Sequence, residues 1–154
     1  EALEASRGER SDVFEKARHV VFTGHSLGGA AATYLAADAL KLLLFPCASQ
    51  FHTVTFGAPP AADAKFYSDF YFDSARNRVP KELQHTSFWH TRDVVPGVAS
   101  NERWVKTPGR AVNVGPIRIP ADSQFGVGPV TAHRIGLYLE RLEVLLEKSR
   151  SPAS

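Results

Sequence analysis

Cysteine, net charge and long apolar runs are all scarce in this sequence, and each shortage excludes a class of protein. The single cysteine, Cys47, cannot form a disulfide within the chain, and one thiol argues against a structural zinc site. The 18 Lys and Arg residues nearly balance the 16 Asp and Glu residues and are scattered, which argues against a nucleic-acid partner. No apolar run approaches the roughly 18 residues that span a membrane, because the longest, residues 42–45, stops at Pro46.

The rest of the composition is that of a folded domain. Of the 154 residues, 44% are hydrophobic and 22% are charged, which excludes a disordered or collagen-like chain. The length is close to that of one domain and is enough to enclose a core. Residues 1–154 are therefore interpreted as a single domain.

Apolar, strand-like segments alternate with helix-like segments along the chain. Residues 19–23 are short, apolar and β-branched, as expected of a strand buried on both faces. The next segment is rich in alanine, which suits close packing of a helix on a sheet. This alternation predicts an α/β fold with a parallel sheet. The predicted strands are residues 19–23, 51–56 and 85–90, the predicted helices are residues 1–16, 30–45 and 63–73, and residues 102–119 are predicted as a hairpin or loop.

The C-terminal segment predicts a further, amphipathic helix. Ile135, Leu139, Leu142 and Leu146 recur at helical spacing, with charged residues between them. Thr131 precedes this segment and is a suitable N-cap.

One motif carries chemistry. The segment from Gly24 to Gly28 reads Gly-His-Ser-Leu-Gly and matches the Gly-x-Ser-x-Gly pattern of a nucleophile elbow. It lies between a predicted strand and a predicted helix, as an elbow must. Gly24 and Gly28 are expected to relieve crowding around the strained turn. The positive end of the following helix would face Ser26 and favour negative charge on an attacked carbonyl.

A serine hydroxyl needs a base, and in the fold that carries this elbow an acid and then a histidine follow the serine along the chain. His133 follows every candidate acid and is the predicted base. Asp93 is the predicted acid because it comes just after a predicted strand, where parallel sheets present their ligand sites. Asp122 is the runner-up. Three further aspartates belong to a predicted helix and are weaker candidates: Asp63, Asp69 and Asp73.

The other histidines are given structural roles at this point. His25 flanks the serine and is expected to pack or to form a hydrogen bond inside the elbow rather than to act as the base. His85 and His90 are interpreted as an ordinary pair on one face of a strand.

Four segments together resemble the fungal-type class 3 lipases, a branch of the α/β-hydrolases. They are residues 20–30 around the serine, residues 55–59 (Thr-Phe-Gly-Ala-Pro), residues 93–96 (Asp-Val-Val-Pro), and the pair 132–133 with the pair 138–139 after it. Their order along the chain is that of the family. The resemblance spans most of the sequence, from Ser26 to His133.

The resemblance implies a partial α/β-hydrolase fold with a mostly parallel sheet flanked by helices. It implies a serine carboxylester hydrolase that cleaves lipid acyl esters, with Ser26 as nucleophile, His133 as general base and acid, and Asp93 as the carboxylate that orients it. The backbone N–H of Leu27 would be one oxyanion donor. No metal and no organic cofactor are implied, and the expected partner is a lipid ester at a membrane or droplet surface.

The sequence also departs from the family. Pro60 stands where the family usually has arginine, which leaves the charge pairing of that loop in question. Only residues 1–25 precede the serine, whereas the family carries further strands, the second oxyanion donor and a lid there. We therefore expect a domain that is incomplete at its N-terminus, with a strand edge open to pairing with another chain. The alternatives are a weakly active or inactive remnant that binds lipid or a partner, and an acyltransferase that uses the same triad.

Overall fold

The computed structural model describes residues 14–67, 69, 82–98, 110–113 and 132–150. Within these ranges the chain alternates between strands and helices. The elements are β1 (His19–His25), α1 (Leu27–Lys41), β2 (Gln50–Phe56), α2 (Ala64–Tyr67), β3 (Glu82–Trp89), a 3₁₀ turn (Val95–Gly97), β4 (Arg110–Asn113) and α3 (Ile135–Arg150). None of the described helices is both long enough and apolar enough to cross a membrane.

The four described strands form one parallel sheet in the order β1-β2-β3-β4. His25 at the end of β1 is in register with Phe56 at the end of β2, which is in register with Phe88 near the end of β3. Because all strands run the same way, the turns that follow β1, β2 and β3 meet at one edge of the sheet. Ser26, Gly57 and Asp93 lie in those turns.

Helix α1 packs on one face of the sheet. Ala36 and Leu40 from the helix form a buried cluster with Phe51 of β2 and Leu83 of β3. Most of the buried positions of α1 are alanines, as the sequence predicted, and their small side chains let the helix lie close to the strands. They are Ala30, Ala32, Ala36, Ala37 and Ala39.

Helix α3 packs on the opposite face. Leu137 and Tyr138 are buried against Phe56 and Phe88. Phe56 lies five residues after Phe51 on the same strand, and successive side chains of a strand alternate between faces. The sheet is thus covered by α1 on one face and by α3 on the other, which confirms the predicted α/β class with a parallel sheet flanked by helices.

The ends of the predicted elements shift, most of all around the serine. β1 continues to His25 and α1 begins at Leu27, so one residue links strand to helix where a six-residue glycine-rich turn was predicted. The predicted turn is too long because its glycines were interpreted as loop residues. In the structure, Gly24 belongs to β1 and Gly29 to α1, and both allow close packing of neighbouring atoms. At its other end α1 stops at Lys41 rather than at residue 45, since Leu43 adopts a left-handed φ of 52°.

Two further predictions are tested only in part. Of the helix predicted over residues 63–73, the structure describes Ala64–Tyr67 as helical, and residues 70–73 lie outside the described ranges. Of the hairpin or loop predicted over residues 102–119, only Arg110–Asn113 is described, and it is a parallel strand beside β3. The described residues 14–16 are helical, and the rest of the first predicted helix lies outside the described ranges.

The predicted C-terminal helix is confirmed, but most of its predicted apolar stripe is exposed. Ile135, Leu139 and Leu146 are 39%, 51% and 53% exposed, whereas Leu137 and Tyr138 are buried. Of the stripe, Leu142 packs against the buried pair. The rotation of α3 is set by Tyr138, because its ring packs against Phe56 while its hydroxyl reaches a carboxylate described below. The predicted N-cap of this helix, residue 131, lies outside the described ranges.

Candidate active site

Ser26 occupies a strained turn between β1 and α1. Its φ of 57° and ψ of −130° lie in a region that non-glycine residues rarely adopt. Such a conformation costs about 1–3 kcal/mol and persists only where the surroundings hold it. The Ser26 N–H donates to the carbonyl of Phe56 at 3.0 Å, and the Ser26 carbonyl accepts from the Gly29 N–H at 2.9 Å. Backbone hydrogen bonds therefore fix the turn from both sides.

Glycine is required around the serine, but at Gly24 and Gly29 rather than at Gly24 and Gly28. A Cβ on Gly24 would lie 2.2 Å from the carbonyl oxygen of Gly28, and one on Gly29 would lie 2.7 Å from the Cβ of Ala58. A Cβ on Gly28 would meet no atom within 4 Å. The expectation for Gly28 is therefore wrong, because the direction of its missing side chain is away from the strand.

Asp93 and His133 are brought together from segments 40 residues apart in the sequence. Their side chains lie 2.9 Å apart, from the Nδ1 of His133 to the Oδ2 of Asp93. The Asp93 side chain is fully buried and that of His133 is 16% exposed. The Val95 N–H donates to the other oxygen of Asp93 at 2.9 Å. The carboxylate is thus oriented by the turn that follows it, and it accepts the hydrogen on the Nδ1 of the imidazole.

Tyr138 is a third donor to this carboxylate. Its hydroxyl lies 2.6 Å from the Oδ2 of Asp93. Burial raises the pKa of Tyr138 far above its ordinary value of 10, and the hydrogen bond to Asp93 and the charge of Asp93 raise it further. The phenol therefore stays protonated and donates. Sequence reasoning assigned Tyr138 no role in the site, and its position five residues after His133 on a helix was the available signal.

Gly57 creates the space in which the pair meets. It follows β2 directly and has a φ of 55°. A Cβ there would lie 2.6 Å from the Oδ2 of Asp93 and 3.1 Å from the Nδ1 of His133. Glycine at this position is therefore required for the contact between Asp93 and His133.

Two more histidines contact the segment that carries the predicted base. The Nε2 of His25 lies 2.6 Å from the carbonyl oxygen of His133, and the Nε2 of His90 lies 2.6 Å from that of Ala132. His25 thus forms a hydrogen bond, but with the segment before α3 and not inside the elbow, where it was expected. The interpretation of His85 and His90 as a pair on one strand face is wrong, because β3 ends at Trp89 and the two lie five positions apart, an odd number that would place them on opposite faces.

The structure brings Asp93 and His133 into contact but does not join Ser26 to them by a hydrogen bond. Within the described part of the chain, the buried Nε2 of His133 has no hydrogen-bond partner. Ser26 lies nearby in the fold, since its neighbour His25 stacks on the His133 ring with centroids 4.5 Å apart. Leu27, whose N–H is the predicted oxyanion donor, is the first residue of α1. The N–H groups in the first turn of a helix have no carbonyl partner within the helix, and the N–H of Leu27 is one of them.

The weaker acid candidates have other roles or are not described. Asp63 accepts the N–H of Phe66 at 2.8 Å, and Asp69 forms an ion pair with Lys65 at 2.6 Å. Asp73 and Asp122 lie outside the described ranges. Among the residues that are described, no group of three or more His, Cys, Asp or Glu side chains could hold a metal ion.

Comparisons with known proteins agree with the resemblance found in the sequence. A model of the family "Lipase (class 3)" matches residues 5–102, a range that includes Ser26 and Asp93 and ends before His133. No curated protein matches the chain.

Two similar solved structures are fungal lipases. The lipase of Rhizopus microsporus var. chinensis is 23% identical, with a TM-score of 0.42, over 63% of this chain and 29% of its own. The Lip2 lipase of Yarrowia lipolytica is 24% identical, with a TM-score of 0.45, over 77% of this chain and 39% of its own. The chain thus spans well under half the length of either. Because the family model matches more than half of the sequence, the chain belongs to the class 3 lipase family, and its parallel sheet is part of an α/β-hydrolase fold.

Proposed function

We propose that the chain is a serine carboxylester hydrolase that cleaves lipid acyl esters, with Ser26, His133 and Asp93 as its catalytic residues. The observation that carries the proposal is the buried hydrogen bond of 2.9 Å between Asp93 and His133. It lies at the sheet edge where Ser26 occupies a strained turn with a φ of 57°. A carboxylate, an imidazole and a serine in this arrangement are the parts of an acyl-transfer site.

The proposed reaction has two acyl-transfer steps. With its Nδ1 hydrogen bonded to Asp93, neutral His133 carries a lone pair on Nε2, which accepts the Ser26 proton as the serine oxygen attacks the ester carbonyl. The Leu27 N–H stabilises the oxyanion. The imidazolium then protonates the leaving alcohol, and water repeats the cycle on the acyl-enzyme. Asp93 stays ionised throughout and stabilises the imidazolium.

The substrate class rests on the family. Class 3 lipases are named for the hydrolysis of lipid esters, and we extend that class to this chain as part of the proposal. The side chain of Leu27 supports it, because it is 76% exposed at the serine turn, where an acyl chain would approach. A membrane or lipid-droplet surface is the proposed place of action.

Labelling with a fluorophosphonate tests the proposal, because the probe reacts with a serine only where a base activates it. We expect one label per chain, on Ser26, together with hydrolysis of a short-chain p-nitrophenyl ester. Ser26→Ala should abolish both. Ser49→Ala is the matched control, since that hydroxyl is exposed and donates to the carbonyl of Arg18. Labelling that survives in the Ser26→Ala variant would refute the assignment.

A lipid- or partner-binding remnant is the second candidate. It is favoured by one observation, that the Nε2 of His133 forms no hydrogen bond with Ser26 or with any other described residue. The same probe separates the two candidates. A remnant would bind vesicles of the lipid ester yet stay unlabelled, whereas a hydrolase would be labelled with or without vesicles.

A further inference from the structure

Two adjacent carbonyl groups of the segment before α3 each accept a hydrogen bond from an imidazole. His90 contacts the carbonyl of Ala132 and His25 contacts that of His133, both at 2.6 Å. Because a carbonyl oxygen only accepts, the Nε2 of each imidazole must carry the hydrogen. The backbone that carries His133 is therefore held at two successive peptide groups.

His90 is tied to the turn that carries Asp93. It is fully buried, and its Nδ1 accepts the N–H of Arg92 at 3.2 Å. Its carbonyl accepts the N–H of Asp93 at 3.1 Å. Its two ring nitrogens thus have separate tasks, one within its own turn and one toward Ala132.

His25 is tied in the same way to the serine turn. It is the residue before Ser26 and the last residue of β1. Its ring stacks on the ring of His133 with centroids 4.5 Å apart and planes inclined by 31°. The edge of Tyr138 packs against it from the side, with centroids 6.2 Å apart.

We infer that His25 and His90 are positioning residues that fix the His133 backbone relative to Ser26 and Asp93, respectively. The bond between Asp93 and His133 sets the direction of one imidazole edge, but it leaves the main chain of His133 free to shift. Each of the two further imidazoles links the His133 backbone to one of the other two proposed catalytic residues. His25 is the residue before Ser26, and the carbonyl of His90 accepts the N–H of Asp93. The inference rests on the proposed function of that site.

Replacements with side chains of different length distinguish this positioning role from a role in packing. Asparagine places its polar atoms at the reach of Nδ1, whereas glutamine extends to the reach of Nε2. His25→Asn and His90→Asn therefore remove the donor to the carbonyl, and His25→Gln and His90→Gln retain it. His90→Asn also keeps an acceptor for the Arg92 N–H, so of these two hydrogen bonds of the ring it removes only the one to Ala132.

His52→Asn is the matched control. The Nε2 of His52 also forms a hydrogen bond, with the Oγ1 of Thr86 at 2.9 Å, but on the neighbouring strands and not at the segment before α3. Its loss should leave the catalytic pair unaffected.

Two readouts are measured on each full-length variant. The first is the rate of fluorophosphonate labelling of Ser26. The second is the ¹⁵N NMR signal of the His133 ring, which reports whether the hydrogen stays on Nδ1. We expect both Asn variants to label roughly 10- to 100-fold more slowly, because small displacements of a catalytic group have effects of this size. In both Asn variants the His133 ring should no longer carry its hydrogen on Nδ1 alone. In both Gln variants and in His52→Asn it should still do so.

Folded Asn variants with the parent labelling rate and an unchanged His133 signal would overturn the inference. If an Asn variant does not fold, the corresponding Gln variant decides, because a folded Gln variant without the Nδ1–H signal would overturn it as well. The NMR signal needs no turnover. A parent chain that resists labelling would therefore contradict the proposed function, whereas a lack of contrast between Asn and Gln contradicts only the positioning role.

Discussion

The turn at Ser26 and the pair formed by Asp93 and His133 are held by different kinds of interaction. Backbone geometry fixes Ser26, through a φ of 57°, two flanking hydrogen bonds and glycines whose side chains would clash. Side-chain hydrogen bonds fix Asp93 and His133, which come from turns 40 residues apart. A turn that is fixed by its backbone appears in the sequence as a short local motif. A pair that is fixed by side-chain hydrogen bonds has its residues spread over the chain.

The largest effect is expected from Asp93→Asn, which breaks the acid–base half alone. The amide cannot accept the Nδ1 hydrogen as a carboxylate does, so His133 adopts the wrong tautomer, and loss of this carboxylate elsewhere has cost about 10⁴ in turnover. We expect a comparable loss in ester hydrolysis with the serine turn intact. Asp38→Asn, on the exposed side of α1, is the control. A loss below tenfold would contradict the role given to Asp93.

Gly24→Ala should break the nucleophile half through the backbone. Its Cβ would lie 2.2 Å from the carbonyl oxygen of Gly28, so the turn must rearrange, at a cost of about 3 kcal/mol or more in the free energy of unfolding. Gly28→Ala is the matched substitution within the same motif, and it should change stability by less than about 1 kcal/mol. Urea denaturation of both variants measures the difference. Equal losses in the two would show that the crowding is not specific to Gly24.

Acid should weaken the face of the sheet that α1 covers. Burial lowers the pKa of His85 from 6.5 to about 4, and the nearby His52 lowers it further. The folded chain thus binds this proton less readily than the unfolded chain. The stability contribution is complete above pH 6.5 and is lost as the pH falls through 4, in total about 3 kcal/mol.

Denaturation curves at pH 7 and pH 4.5 check this expectation. His85→Leu should make the two curves more alike than they are in the parent chain, because the leucine does not titrate. His19→Leu is the control, since that imidazole is exposed. A pH dependence that is unchanged in His85→Leu would assign the acid sensitivity to other groups.

Tyr138→Phe should have the smallest effect and should sharpen the comparison. It removes one donor to Asp93 and leaves the ring packing in place. A hydrogen bond to a charged acceptor contributes about 1.5–3 kcal/mol, so turnover should fall about 10- to 150-fold. The reduction should appear in kcat rather than in KM. Tyr34→Phe, which loses a hydroxyl contact with the carbonyl of Ala61 away from the site, should leave kcat unchanged.

The sequence sufficed for those features that local backbone chemistry controls. The strand, serine and helix around Ser26 could be predicted because one motif contains the strained residue and the crowded Gly24. Asp93 could be predicted from its place after a strand, and its contact with His133 from chain order. The role of Gly28 was misjudged, because a pattern does not give the direction of a missing side chain.

The remaining contacts depend on how α3 docks, and three of the four residues of its predicted apolar stripe are exposed. Tyr138 turns this helix so that Ile135 and Leu139 point outward and its own hydroxyl meets Asp93. The roles of His90 and Gly57 follow from the same docking. No local pattern contains that information, since each contact joins segments that are distant in sequence.

Gly57 contributes no atom to the proposed reaction, yet its bare Cα leaves the volume that the carboxylate and the imidazole share. Gly57 has no functional group, and its importance lies in the absence of a Cβ, which would collide with the carboxylate of Asp93. A side chain at position 57 should thus separate the proposed catalytic pair without a change to either partner.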